Sequence, residues 1–173
     1  MRVAPIKIRR LAQKNSTDAA LFRDIRLEAL RANPEAFGRT FEFENAQTLS
    51  WFMDQLGTST VLCAFHDTKP VGIACFAIQQ GQKQAHKGFL WGMYVQPGSR
   101  GMGVGRQLVE AVLDLACRRV GLIQLTVVQD NEQAHRLYAS LGFLDYGLEK
   151  NALKQDGRYY DEVLMAKALL GER

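Results

Sequence analysis

The chain has 173 residues, 47% hydrophobic and 23% charged, which suffices for the core of one compact domain and gives no reason to expect a second. Its 22 basic and 18 acidic side chains leave a formal charge of +4 and a pI near 9.1 without a long basic block, which argues against a nucleic-acid partner. No apolar run reaches membrane-spanning length, the basic stretch Met1 to Arg10 has no signal-peptide core, and Cys63, Cys75 and Cys117 sit in apolar runs without zinc or disulfide spacing, so a cytoplasmic protein with reduced thiols, no membrane partner and no metal is expected.

In chain order, Ile6, Ile8 and Leu11 alternate with basic residues and predict a first strand. Ser16, Thr17 and Asp18 offer N-caps for a helix carrying Leu21, Phe22, Ile25, Ala29 and Leu30, which Asn33-Pro34 stops. Glu35 to Ala46 lacks a clean period and reads as an ordered loop, whose Phe37, Phe41 and Phe43 either line a site or form a satellite core. A second helix over Leu49 to Leu56 is expected to end at Gly57 in a left-handed cap. Thr60 to His66 and Val71 to Gln79, joined by Asp67-Thr68-Lys69-Pro70, predict an antiparallel hairpin, and Gly81 to Lys87 a polar turn into the strand Gly88 to Val95.

The segment from Met93 to Arg106 reads Met-Tyr-Val-Gln-Pro-Gly-Ser-Arg-Gly-Met-Gly-Val-Gly-Arg: the end of a strand, a Pro-Gly break and a glycine loop that runs at once into a helix. That helix carries Val104, Leu108, Val112 and Leu115 and ends near Arg118, Arg119 and Gly121. Leu122 to Val128 is a nearly continuous apolar strand, so strand, loop, helix and strand form a βαβ crossover with parallel strands. Asp130 and Asn131 cap a short helix through Leu141 that Gly142 stops, and Phe143 to Lys150 with Tyr159 to Ala168 form a terminal hairpin around Gln155-Asp156-Gly157.

A helix start with exposed backbone N–H groups, the positive end of the helix dipole and flanking Arg100 and Arg106 suits a phosphate or pyrophosphate. The dinucleotide fingerprint G-x-G-x-x-G fails here, because Arg106 or Leu108 stands where the third glycine belongs. The P-loop fails too, with Val104 at the lysine position.

Arg100-Gly101-Met102-Gly103-Val104-Gly105 instead resembles the [Q/R]-x-x-G-x-[G/A] signature of the GNAT superfamily of N-acetyltransferases. Asn131-Glu132-Gln133-Ala134-His135-Arg136-Leu137-Tyr138-Ala139-Ser140-Leu141-Gly142-Phe143 is similar to the family's N-x-x-A-x-x-L-Y-x-x-L-G-F block, and Asn131, Ala134 and Tyr138 share one helical face. The element order and Tyr159-Tyr160-Asp161-Glu162 fit the same family. The resemblance implies an α/β (α+β) GNAT fold: a mixed, mostly antiparallel seven-stranded sheet splayed between strands 4 and 5, with helices on both faces.

It also implies acetyl-CoA as the acetyl donor, a primary amine as acceptor, direct attack without an acyl-enzyme, and a homodimer as one assembly. The small-molecule amine is the first choice. A peptide N-terminus or lysine is the alternative, and a non-catalytic acyl-CoA-binding module is the competing class. By resemblance, the cofactor is held by Met93, Tyr94 and Val95 on the strand, by Arg100, Gly101, Met102, Gly103, Val104, Gly105 and Arg106 in the loop, and by Asn131, Ala134 and Tyr138 on the following helix. Tyr138 is the expected general acid, because a phenol stays protonated at neutral pH and can donate to a departing thiolate. Many relatives place a glutamate on strand 4 as base, whereas Gly88-Phe89-Leu90-Trp91-Gly92-Met93 has no carboxylate. Glu28 on the first helix is the base candidate, with Glu42 and Glu44 on the following loop and His86 at the strand start as others.

Overall fold

A computed structural model describes residues 5–169, so Met1 to Ala4 of the basic N-terminal stretch and the last four residues lie outside the described residues. Five helices and seven strands follow one another as β1 (Ile6–Arg10), α1 (Ser16–Ala32), α2 (Phe41–Asn45), α3 (Leu49–Thr58), β2 (Thr60–His66), β3 (Lys69–Ile78), β4 (Lys87–Val95), α4 (Val104–Ala116), β5 (Leu122–Val128), α5 (Glu132–Ser140), β6 (Leu144–Gln155) and β7 (Arg158–Ala168). No described helix is long and apolar enough to cross a membrane.

Local chemistry explains most boundaries, and corrects four expectations. The cap of α1 is Asn15, whose side chain accepts from the Thr17 and Asp18 N–H groups. Asp18 is drawn away from capping because its carboxylate takes a bidentate pair from Arg9 and a bond from the Ala12 N–H. The expected loop Glu35 to Ala46 contains the one-turn α2, capped by Thr40, and a 3₁₀ turn at Pro34–Ala36, both too short to leave a period in the sequence. Gly57 lies inside α3, which runs to Thr58 and has Ser59 in extended conformation as its cap, so no left-handed glycine ends it. The β2–β3 hairpin closes on two residues, Asp67 (φ 55°) and Thr68, and Lys69 and Pro70 already belong to β3.

The sheet order is β1-β2-β3-β4-β5-β7-β6, antiparallel throughout except for the parallel β4–β5 pair. Two apolar layers cover it. On one face α4 packs Val104, Leu108, Val109 and Val112 on Leu62, Ala64, Ala74, Phe76 and Leu90. On the other, α1 and α3 pack Phe22, Ile25, Phe52 and Leu56 on Val61, Cys63, Ile73 and Cys75, with the Phe22 and Phe52 rings edge to face at 5.9 Å. Neighbouring strand residues therefore feed opposite cores, as the pleat requires.

Strand β4 breaks this alternation. Ile73 pairs with Tyr94 but Cys75 pairs with Trp91, so Gly92 and Met93 together face Ala74 in a bulge, with Gly92 at φ 61°. The extra residue reverses the parity: Leu90 packs on the α4 side, and Met93 and Val95 do too, while Tyr94 turns to the α1 side. A bulge increases strand twist, and β4 separates from β5 at this point. Their ladder holds only Lys87–Leu122, Gly88–Ile123 and Phe89–Gln124. Strand β5 meanwhile stays paired with β7 along its whole length.

Candidate active site

Beyond Phe89 the edge of β4 facing β5 has no strand partner, which leaves backbone donors and acceptors along one wall of a V-shaped cleft. A cavity of about 580 Å³ fills the cleft toward α4, lined by Met93 to Val95 on β4, Val128 on β5, the loop from Ser99 to Arg106, and Asn131, Ala134, Leu137 and Tyr138 of the α5 region. Of the sequence-derived set, Met93, Tyr94, Val95, Arg100, Gly101, Gly103, Val104, Gly105, Arg106, Asn131, Ala134 and Tyr138 all border this space. Met102 does not border it; it sits exposed at the loop tip.

The loop leaves backbone donors free at the start of α4. Gly101 and Gly103 both hold φ 76°, which a side chain with a Cβ adopts only under strain. Gly103 occupies the N-cap of α4 and no side chain caps this helix, so its first-turn N–H groups stay available at the cavity wall. With the dipole behind them they favour an anion by about 0.3 to 2 kcal/mol. Gly105 has a different duty: a Cβ there would lie 3.2 Å from Leu137 Cδ2 and 3.4 Å from Met93 Cε, so its absence lets α4 seat against β4 and α5. The two arginines are partly engaged already. Arg100 Nε donates to the Val95 carbonyl at 3.1 Å, and Arg106 Nη2 donates to Ser140 Oγ at 2.7 Å. Asn131 caps α5 by accepting from the Ala134 N–H at 3.2 Å while bordering the cleft.

A second cavity of about 420 Å³ opens on the far side of the splay, toward α1 and the segment Ala36 to Arg39. It shares Phe37, Met93, Val128, Asn131, Ala134 and Tyr138 with the first, so Tyr138 stands where the two spaces meet. Its ring packs edge to face on Phe143 at 5.9 Å, the residue is 6% exposed, and burial pushes its phenol well above the ordinary tyrosine value. The hydroxyl is therefore held in its proton-donating form.

The base candidates are placed elsewhere. Glu28 lines neither cavity: its oxygens accept from Tyr94 Oη and Gln96 Nε2, each at 2.9 Å. That geometry corrects Glu28 as a base facing the cleft, because β4 holds its carboxylate on the outside. Glu42 is exposed and His86 lies on the turn before β4, both away from the two cavities. Glu44, the remaining base candidate, is buried and pairs with the equally buried Arg26 through Arg26 Nε and Nη2 at 2.9 to 3.2 Å. Breaking such a pair strands a buried charge.

Three residues of the second cavity escaped the sequence reading: Arg26, Arg39 and Glu162. Arg26 sits over the Phe37 ring at 4.9 Å and the Trp91 ring at 5.6 Å, and its Nη1 is buried without a hydrogen-bond partner among the described residues. Helical spacing on α1 could have flagged Arg26, one position after Ile25 on an otherwise apolar face. Glu162 carried the weaker signal of an acidic residue inside an apolar strand. No described group of three or more His, Cys, Asp or Glu side chains is arranged to hold a metal.

Comparisons with known proteins fit this geometry. Residues 22–143 match the acetyltransferase (GNAT) family. An L-amino acid N-acetyltransferase of Escherichia coli, AaaT, is 25% identical over 146 residues, 82% of this chain and 89% of that protein. An N-alpha-acetyltransferase of Mycobacterium tuberculosis, RimI, is 40% identical over 63 residues, which span 36% of this chain and 39% of the relative. Among solved structures, yncA of Salmonella typhimurium, determined with its cofactor acetyl-CoA, superimposes with a TM-score of 0.80 at 24% identity over 98% of this chain and 97% of that one, a likeness of fold.

Proposed function

From the premise that this chain belongs to the GNAT family of acetyltransferases and is an acyltransferase, we propose that it transfers the acetyl group of acetyl-CoA to a primary amine of a small molecule by direct attack. The observation that carries this reading is the pair of cavities meeting at Tyr138, one floored by an uncapped helix start and the other by a mixed-charge wall.

In this reading the N–H groups from Gly101 to Arg106 hold the pyrophosphate, assisted by Arg106, and the open edge of β4 at Met93 and Val95 pairs with the pantetheine arm as an added strand would. A β4 N–H polarises the thioester carbonyl. Asn131 and Ala134 bound the arm from the α5 side. Tyr138 gives its proton to the leaving thiolate, and the proton shed by the acylated nitrogen restores the phenol through solvent. The acetyl donor supplies only the thioester carbon that the amine attacks.

For the acceptor, a free amino acid comes first. Arg26 and Arg39 on the wall of the second cavity suit a carboxylate beside the amine, and the E. coli relative is named for that substrate class. A peptide N-terminus is the alternative, in line with the name of the shorter-matching tuberculosis relative. The same reading includes a cytoplasmic location and a homodimer, for which Leu144, Tyr146 and Leu148, exposed along the edge strand β6, provide apolar surface.

A thiol-release assay with acetyl-CoA and a panel of amino acids, polyamines and short peptides tests the function. Release with free amino acids is the expected result. Tight acetyl-CoA binding by calorimetry without release on any amine would overturn it in favour of a non-catalytic acyl-CoA-binding module.

A further inference from the structure

We propose that Glu162 is the general base that takes the proton from the attacking amine. The inference rests on the acetyl-transfer reading and supplies the residue that β4 lacks. Among the described residues lining the second cavity, Glu162 is the only carboxylate. It lies on β7 opposite Val128 of β5, on the wall of the splay across from the bulged β4. An amine in this cavity therefore has Glu162 and Tyr138 bordering the same space.

Its surroundings suit proton uptake. The side chain is half-buried, and its one hydrogen bond among the described residues comes from Thr126 Oγ1 to Oε1 at 3.2 Å. Oε2 is left for the substrate. Desolvation raises its pKa, Glu149, its register partner on β6, adds to the rise, and the Thr126 bond opposes it. A raised carboxylate pKa narrows the gap to an ammonium and makes the transfer less uphill. The charged groups facing the cavity from other elements are Arg26 on α1 and Arg39 before α2, with Tyr138 of α5 as the remaining titratable group.

The balance of the step is simple. The acceptor enters as an ammonium and passes one proton to Glu162 Oε2, freeing the lone pair that forms the C–N bond. The C–S bond then breaks, and the thiolate takes the Tyr138 proton. The acylated nitrogen sheds its second proton, which restores Tyr138, and Glu162 returns its own to solvent. The net release is one proton per turnover.

Two acceptors of the same class separate this role from a structural one: an alkyl amine that is an ammonium at pH 7, and a low-basicity amine such as O-methylhydroxylamine that is already neutral there. With Glu162→Gln, kcat/KM for the alkyl amine should fall about 10²-fold or more at pH 7 and recover toward the wild-type value as pH approaches the amine's own pKa, while kcat/KM for the low-basicity amine should change less than about threefold. The acetyl-CoA Kd should stay unchanged. Thr126→Val provides a second arm should the first variant not fold: losing the bond that lowers the Glu162 pKa should move the acid limb of the kcat/KM profile to higher pH. Equal losses on both amines, or a wild-type profile and rate in Glu162→Gln, overturn the proposal. No thiol release by the wild-type protein on any amine instead overturns the acetyl-transfer reading on which it rests.

Discussion

The hydroxyl of Tyr94 donates to Glu28 Oε1 at 2.9 Å, and this bond ties helix α1 to the far end of β4, just before the glycine loop. Gln96 holds the other carboxylate oxygen. Glu28 is therefore a brace for the strand that carries the cleft. Glu28→Gln should keep kcat within about threefold and cost about 1 kcal/mol of stability, the range for a partly exposed hydrogen bond to a charged group. Denaturant unfolding together with steady-state rates measures both. A hundredfold loss of kcat would return the base to Glu28.

Tyr138 faces both cavities with a phenol that burial keeps protonated. Tyr138→Phe removes the proton donor and keeps the ring against Phe143. We expect kcat to fall about 10²-fold with the acetyl-CoA KM little changed. Undiminished turnover would remove the general-acid role.

The two loop glycines answer to different constraints, so they should fail differently. Gly103→Ala imposes a Cβ at φ 76°, in ordinary contact with Gln107 Nε2 at 3.9 Å, and should cost about 1 kcal/mol while weakening acetyl-CoA binding. Gly105→Val would wedge against Leu137 and Met93 and should cost about 1 to 3 kcal/mol through overpacking. Thermal melts with and without acetyl-CoA distinguish the two cases.

Alkaline pH should unfold this protein early. Burial, and then its bond to Glu28, push the Tyr94 phenol up to about 12, and Tyr138 is raised as well. An acid whose pKa is higher in the folded state than in the unfolded one stabilises the fold below the unfolded value, near 10, and that stability is lost as pH rises through the folded value. For Tyr94 the loss falls between pH 10 and about 12. Urea midpoints should therefore drop over this window, and less steeply in Tyr94→Phe.

What the sequence determined by itself was the order of the larger elements and the glycine-rich turn, which rest on local pattern, although several caps and turns did not follow from it. The apolar run Leu122 to Val128 and the helical spacing from Val104 to Leu115 place the crossover around the cleft. The glycines and the Asn131 to Phe143 block mark the wall of the first cavity because turn conformation, capping and helix faces depend on residues a few positions apart. Only the tertiary structure decided the lining of the second cavity, because strand register and burial are settled between segments distant in the chain. The bulge at Gly92 and Met93 shifts the alternation of β4, so that Met93 packs on the α4 side and Tyr94 reaches Glu28, while the β4–β5 ladder ends at Phe89. Arg26 buries Glu44 from eighteen positions away, which no periodicity announces. In sequence Glu162 is the last residue of the Tyr159 to Glu162 stretch with no side-chain environment to mark it; pairing with Val128 of β5 places it on the wall of the second cavity.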